Sequence, residues 1–438
     1  MTANRNFQLP LLLALLTLPS LATAADIETT PISDWTGWHI GVGAGYGMVN
    51  HDLGLDVPIV PLTAGLDGIG GEGFLGTIEA GYDFQLGERF VVDGLVDFTF
   101  SGISTDIDAS VLGFGGSYEL EASQQISALV RFGRLINDQT LSYVLAGYTH
   151  TRWNGDLEIP GLISTDYHYN TDGLTIGGGI ENVIADNITL KLEHRMTYNE
   201  SMNIFSIPGA LSLDEQAHVQ TARMVLSYRP GVVAAAMDGS EEQWTGFRVG
   251  AGFGYSMLNH VLDLDAPPLA SLTFSGIGGE GYLGTLELGA DMLIGERFVA
   301  GIQAGVSLSN AKTTAELSVP GLLTADYELT ANYSFDVLAR AGVLTGPDVL
   351  WYGIAGWTHT KFKGDLDTEG LFDASYRYGL DGVTVGAGVE AMLTDTLSWK
   401  TEYRYTNYET ENIIGIPGLS LDALSNQQSV RSVLTWRF

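Results

Sequence analysis

The chain has 438 residues, with 20 Lys and Arg against 52 Asp and Glu, a formal net charge of −32, and no cysteine. That balance excludes nucleic acid as a partner, because phosphates need a basic surface, and the lack of thiols excludes thiolate metal centres, a cysteine nucleophile and disulfide staples. Only 16% of the residues are charged and 56 are glycine, whereas soluble domains carry about 25% charged residues.

Residues 1–24 read as an export signal. Arg5 is the only charge ahead of an apolar stretch at 9–21, and Ala22 and Ala24 form a small-residue cleavage site. Pro10, Pro19 and Ser20 interrupt that stretch, and it is shorter than the roughly 20 residues a helical anchor needs. Residues 25–34 then form a short periplasmic segment. From Trp35 onwards the chain is a duplication. Trp35-Thr36-Gly37-Trp38 returns as Trp244-Thr245-Gly246-Phe247, Gly68-Ile69-Gly70-Gly71-Glu72-Gly73 returns unchanged at 276–281, and Thr149-His150-Thr151 returns as Thr358-His359-Thr360. The first repeat covers 35–230, a linker covers 231–243, and the second repeat covers 244–438.

Within each repeat the apolar period is two, the signature of strands. Trp38, Ile40, Val42, Ala44, Tyr46 and Met48 alternate with His39 and glycines, and Phe74, Ile78, Ala80 and Tyr82 alternate with Thr77, Glu79 and Asp83. Phe90, Val92, Val96 and Phe98 alternate with Asp93 and Asp97, and further runs cover 118–134, 140–153, 167–184, 187–199 and 217–229. The pattern predicts eight strands per repeat and sixteen in all. Many runs reach ten residues or more, whereas soluble strands cluster near 5–6 and a tilted membrane strand needs about 9–11. Short turns at 86–88, 136–138 and 185–187 alternate with long connections at 51–71, 104–117, 154–166 and 200–213, the outer-membrane barrel pattern. An open sheet edge has no hydrogen-bond partner in lipid, so closure is required.

Trp-Thr-Gly-aromatic at the first strand of each repeat, the Gly-rich strand that follows, and Glu402-Tyr403-Arg404-Tyr405 near the end resemble the porin-like outer-membrane surface-antigen family of alphaproteobacteria, whose usual unit is one eight-stranded barrel. The resemblance implies the outer membrane of a Gram-negative cell and partners in its lipid, lipopolysaccharide and barrel-assembly machinery. Leu434-Thr435-Trp436-Arg437-Phe438 looks like the terminal assembly signal, with Trp436 and Phe438 as its aromatic residues. The first repeat departs from this ending with Tyr228-Arg229-Pro230.

The fold expected is an all-β transmembrane antiparallel barrel. The lone terminal signal favours one sixteen-stranded barrel; two tandem eight-stranded barrels are the alternative. The polar faces place Glu79, Asp83, Asp93, Asp97, Arg131, Glu181, Lys191, Glu193, Arg195 and Arg223 in the lumen of the first repeat. In the second they place Glu287, Asp291, Asp336, Arg340, Glu390, Lys400, Glu402, Arg404 and Arg431 there. A sixteen-stranded ring can leave an aqueous channel, whereas eight strands are filled by their own side chains. The expected function is a passive pore for small hydrophilic solutes with a cation preference. The alternative is a structural or adhesive surface barrel without channel activity.

Pro-Gly tips flanked by apolar residues recur at 159–162, 207–211, 319–322 and 416–419, and loop carboxylates such as Asp106, Asp156 and Asp365 could draw divalent cations that bridge lipopolysaccharide. No calcium-loop spacing is present. His150 with His359, and His51 with His260, recur as duplication alone requires, and sequence spacing fixes no Ser, Asp or metal-ligand constellation near either pair. No catalytic, metal or cofactor residue is therefore assigned. Deleting Phe438 or replacing Trp436 is expected to reduce the heat-shifted folded form in mild detergent electrophoresis much more than changing Tyr228 does; equal effects would detach assembly from the terminal aromatics.

Overall fold

The computed structural model describes residues 34–58, 62–111, 114–161, 163–238, 241–266, 270–319, 323–368, 372–416 and 419–438. The export signal with Ala22 and Ala24, most of the 25–34 segment and parts of the Pro-Gly tips lie outside these residues. The first repeat forms β1 (Gly37–Val57), β2 (Leu62–Leu86), β3 (Phe90–Val111), β4 (Phe114–Asn137), β5 (Thr140–Ile159), β6 (Ile163–Ala185), β7 (Ile188–Asn199), a short β8 (Met202–Ile207) and β9 (Leu211–Tyr228). The second forms β10 (Gly246–Ala266), β11 (Ala270–Ile294), β12 (Phe298–Val319), β13 (Leu323–Gly346), β14 (Val349–Thr368), β15 (Phe372–Met392), β16 (Leu397–Tyr408), a short β17 (Glu411–Ile416) and β18 (Leu419–Arg437). β8 and β17 pair with the outer ends of β9 and β18, prolonging β7 and β16 past a break.

Each repeat closes on itself. Along β1 and β9, Ile40 faces Tyr228 and Asp56 faces Ser212; along β10 and β18, Arg248 faces Arg437 and Asp265 faces Ser420. The single sixteen-stranded barrel is thus corrected to two eight-stranded barrels in tandem. Pro230 does not prevent closure, because the β1 pairing ends at Tyr228 and the proline falls beyond it. The linker is docked beneath both barrels: Val232 is buried under the first, Met237 packs against the core of the second, and Gln139 donates to the Val233 carbonyl at 3.0 Å.

The long connections are largely strand as well. Their arms keep pairing up to Val57–Leu62, Val111–Phe114, Ile159–Ile163 and Ile207–Leu211. The alternation continues because the arms of each hairpin satisfy one another's backbone. Most strands run 18–25 residues, about twice a lipid-spanning length. The inner halves carry an exposed apolar belt, with Val42, Ile78, Val96, Val130 and Leu226 on the first barrel and Val249, Leu288, Ile302, Val337 and Val383 on the second. The outer halves form a crown above it.

The barrels stand side by side. Outward-facing Ile180 and Leu192 of the first are buried in one cluster with Val349, Trp351, Val389 and Trp399 of the second. In the crown the first hairpins of the two repeats change places. β2 pairs with β3 only from Glu72 to Leu86; beyond that, Thr63–Asp67 pair with Thr314–Ser318 of β12. Reciprocally, Ala270–Phe274 of β11 pair with Ile107–Val111 of β3. The two crossings meet at Ile69 opposite Ile277, equivalent residues in the two repeats.

The repeated Gly-Ile-Gly-Gly-Glu-Gly sequence is what this crossing requires. Gly68 has φ +108°, a conformation side chains rarely adopt, and a Cβ there would overlap the Gly278 carbonyl. A Cβ at Gly278 would overlap Asn50, and one at Gly70 would overlap Asn259, the counterpart of Asn50. The glutamate of each motif reaches the other barrel: Glu72 accepts from Tyr405 and Asn426 at 3.1 Å, and Glu280 meets His218 at 3.2 Å. In the Cys-free chain, cysteine pairs at 40/228, 249/436 and 69/277 are expected to form disulfides, since directly opposed strand residues lie within about 5.5 Å. A 40/436 pair should not; efficient crosslinking there would restore the single ring.

Candidate functional site

Both lumens are built in three layers from inward-facing side chains. At the periplasmic end of the first barrel Trp35 is fully buried, its backbone N–H donating to Gln85 Oε1 at 2.8 Å and its indole to the Asp138 carbonyl at 3.2 Å. It sits in an apolar floor with Val91, Leu95, Leu129, Leu141 and Val232. Trp244 occupies the same place below the second barrel, its indole donating to the Pro347 carbonyl at 2.8 Å. At the outer end Trp153, with Val49, Leu75, Ile103 and Leu120, caps the first lumen. Phe362, with Leu258, Leu329, Leu380 and Tyr408, caps the second.

The charges lie between floor and cap. In the first barrel Lys191 pairs with Glu79 at 2.7 Å, Arg195 bridges Asp97 and Glu193 at 2.6 Å each, and Arg223 lies 3.5 Å from Asp97. Arg131 binds Asp93 and reaches Glu181 at 2.9 Å, while Arg229 binds Asp83 and reaches Glu181 at 3.0 Å. Tyr143 donates its hydroxyl to Glu193 at 2.7 Å. Six carboxylates thus face five permanent cations, all buried. His39 lies 3.5 Å from Asp83 and 3.4 Å from Asp93. These three could offer metal ligands, but Arg229 and Arg131 already hold both carboxylates.

The second barrel repeats the layer with altered wiring. Lys400 pairs with Glu287 at 2.6 Å, Arg404 with Asp336 at 3.0 Å and with Glu402, and Arg431 lies 3.9 Å from Asp336. Arg340 and Arg437 share both Asp291 and Glu390. Arg248 stands where the first barrel has His39, 3.0 Å from Asp291. Here five carboxylates face six cations, the reverse of the six-to-five ratio in the first barrel, so the two layers together are balanced in charge.

One difference between the layers shows how tightly they are balanced. In the first barrel Asp97 lies directly opposite Ser127; in the second, the equivalent pair is Gly305 opposite Asp336. The carboxylate has crossed to the neighbouring strand, and it still meets the arginines equivalent to Arg195 and Arg223. Glycine at 305 leaves the space, because a Cβ there would lie 2.7 Å from Asp336 Oδ2.

All nineteen charges assigned to the lumens from sequence lie inside the barrels and are buried. The alternation put His39 on the inward face without giving it a role, and it passed over Arg248, Arg437 and the floor tryptophans. Strand parity would have found the two arginines, since each alternates with an outward apolar residue; Trp35 and Trp244 precede their strands and give no period. Trp436 and Phe438 lie on the outer face, 53% and 74% exposed. His150 and His359 also face outward, each 2.7 Å from an aspartate, Asp172 and Asp381. His51 contacts Glu215 and His260 contacts Ser425, both at 2.6 Å and both buried.

Comparison with known proteins gives the same division of the chain. The model of the outer membrane protein beta-barrel domain matches residues 11–229 and again 230–438. The 31 kDa outer-membrane immunogenic protein of Brucella melitensis is 28% identical over 218 residues, covering 48% of this chain and 89% of that protein. The 25 kDa outer-membrane immunogenic protein of Brucella canis is 30% identical over 145 residues, covering 33% of this chain and 60% of that protein. Among solved structures, Neisserial surface protein A is 16% identical with a TM-score of 0.24, covering 44% of this chain and 98% of its own.

Asp97→Gly leaves Arg195 and Arg223 without their shared carboxylate and is expected to cost about 3–5 kcal/mol, read as a lower urea midpoint for loss of the folded electrophoretic form. Adding Ser127→Asp, the arrangement of the second barrel, should recover most of that loss. A double variant no more stable than the single one would break the equivalence of the two layers.

Proposed function

The chain belongs to the outer membrane protein beta-barrel domain family, and from that premise we propose that it is a structural and adhesive surface protein whose two barrels do not conduct. It resides in the cell outer membrane, with lipid against its apolar belt. The observation that carries the reading is the sealing of each charged layer between an apolar floor and an apolar cap. An ion crossing the first barrel would have to displace Trp153 and Trp35 and separate buried ion pairs, and breaking one such pair costs about 3–5 kcal/mol.

The diffusion pore with cation preference depended on a sixteen-stranded ring, and the closure of each repeat removes its geometric basis. What the barrels offer outward is the crown, joined across both repeats by the exchanged hairpins. The relatives named as immunogenic outer-membrane proteins suit a role at the cell surface. The rigid floor and charged layer then serve as a foundation that holds the crown at a set height above the lipid.

Full-length protein in planar bilayers is expected to give no stable ohmic steps. Trp35→Ala with Trp153→Ala, which opens floor and cap of one lumen, should introduce small, irregular conductance. In intact cells, a protease added outside should cut within the crown and leave the barrels resistant. Stable steps from the wild type, with reversal potentials favouring cations, would overturn this reading in favour of the pore.

A further inference from the structure

Just above the apolar belt, equivalent positions on the outer faces of the two barrels carry opposite charge. In the first barrel Asp106, Glu119, Glu121, Asp156 and Asp166 surround a single arginine, Arg152. Glu119 lies opposite both Asp106 and Asp156, and Asp156 opposite Asp166. Burial, with Asp106 and Asp156 beside it, raises the Glu119 carboxyl above its ordinary value.

In the second barrel three of those carboxylates are replaced by Thr314, Thr330 and Ser375, and three new cations enter. Lys312 stands where the first barrel has Ser104, Lys363 where it has Asn154, and Arg377 where it has His168; Lys361 keeps the charge of Arg152. The register sets the new cations in one row across four strands: Lys312 faces Thr330, Thr330 faces Lys363, and Lys363 faces Arg377. Two carboxylates remain. Glu328 is 2.8 Å from Lys312 and Asp365 is 2.7 Å from Lys363, and these lysines hold both carboxyls below their ordinary values. Among the described residues, Lys361 and Arg377 meet no carboxylate at ion-pair distance.

The height of this row identifies what it faces. Ten residues of β14 separate Trp351 from Lys361, which is about 25 Å for a strand rising about 3.3 Å per residue at a tilt of about 40°. An outer-membrane barrel's apolar band is about 25 Å tall, so Lys361 marks its outer edge and Lys363 and Arg377 lie one step beyond. Directly below the row, on β13, β14 and β15, Phe335, Val337, Trp357 and Val383 are exposed. Cations at headgroup level above an apolar wall on the same strands match one class of molecule, which carries phosphate above acyl chains.

We propose that the Lys312–Lys363–Arg377 row, with Lys361 below it, docks the phosphorylated glycolipid of the outer leaflet, and that this site belongs to the second barrel alone. The lysines and arginine bind the lipid's phosphates directly, and its acyl chains lie on Phe335, Val337 and Trp357. At the equivalent place on the first barrel the carboxylates repel the same headgroup. The chain is thereby fastened on one flank and free on the other. The site goes beyond the surface role proposed above and does not depend on whether the barrels conduct.

The test uses full-length protein in phosphatidylcholine nanodiscs doped with bisphosphorylated lipid A, with bound lipid counted by native mass spectrometry in the presence of EDTA. Wild type should retain lipid A. The variant Lys312→Ser/Lys363→Asn/Arg377→His, which installs the residues of the first barrel, should bind it at least about tenfold more weakly. The variant's unchanged heat shift in electrophoresis establishes that it is folded, and Asn154→Lys/His168→Arg in the first barrel should add binding. Equal retention by the triple variant, or equal retention of lipid A stripped of phosphates, would overturn the proposal. So would displacement by inorganic phosphate at equal molarity, which would make the row a site for free anion rather than lipid.

Discussion

A charge placed inside a lipid-embedded wall must find its counter-charge within the same lumen, and the rest of this molecule is arranged around that constraint. Eight strands bring Lys191 within 2.7 Å of Glu79 and Arg195 within 2.6 Å of Asp97, across a space that side chains can fill. In low dielectric an unpaired member is strongly destabilising. The pairing therefore selects small closed barrels as firmly as the backbone pairing of β1 with β9 does. The move of one carboxylate from Asp97 on β3 to Asp336 on β13 follows from the same constraint. The strand that supplies the charge is free to vary, while the charge near the two arginines is not.

Above the lipid the constraint changes. There water can satisfy side chains, and strand edges rather than charges need partners. The hairpin formed by β1 and β2 leaves β3 beyond Glu72 and finds β12, and β11 finds β3 in return. The exchange pairs edges that would otherwise stand open and ties the repeats together at their outermost level. Glycine at 68, 70 and 278 allows two backbones and two asparagines to cross in one place. The six-residue identity between the repeats at this motif reflects a contact that each makes with the other.

The two repeats serve the membrane differently on their outer faces. They share an apolar belt, a floor tryptophan and a charged layer, yet at headgroup level one carries an acidic surface and the other a row of cations. Such a molecule presents a fixed orientation to neighbouring lipid. Its crown, assembled from both repeats, is then the part that meets whatever lies outside the cell.

By itself the sequence determined the strand class, the duplication, the inward and outward faces and the outer-membrane setting. All of these are local consequences of a period of two, of turn lengths and of repeated motifs. Glu79, Arg131, Glu193 and Arg404 were legible as lumen residues because parity alone decides which way a strand residue points. Parity does not decide which strand meets which. Sixteen alternating strands can close once or twice with the same faces, and the terminal Phe438 suggested once, while the register of Ile40 with Tyr228 settled on twice. Only the tertiary structure decided the closure, the exchange at Ile69 and Ile277 and the seals made by Trp35 and Trp153, because each depends on contacts between residues far apart in the chain whose local patterns are indistinguishable.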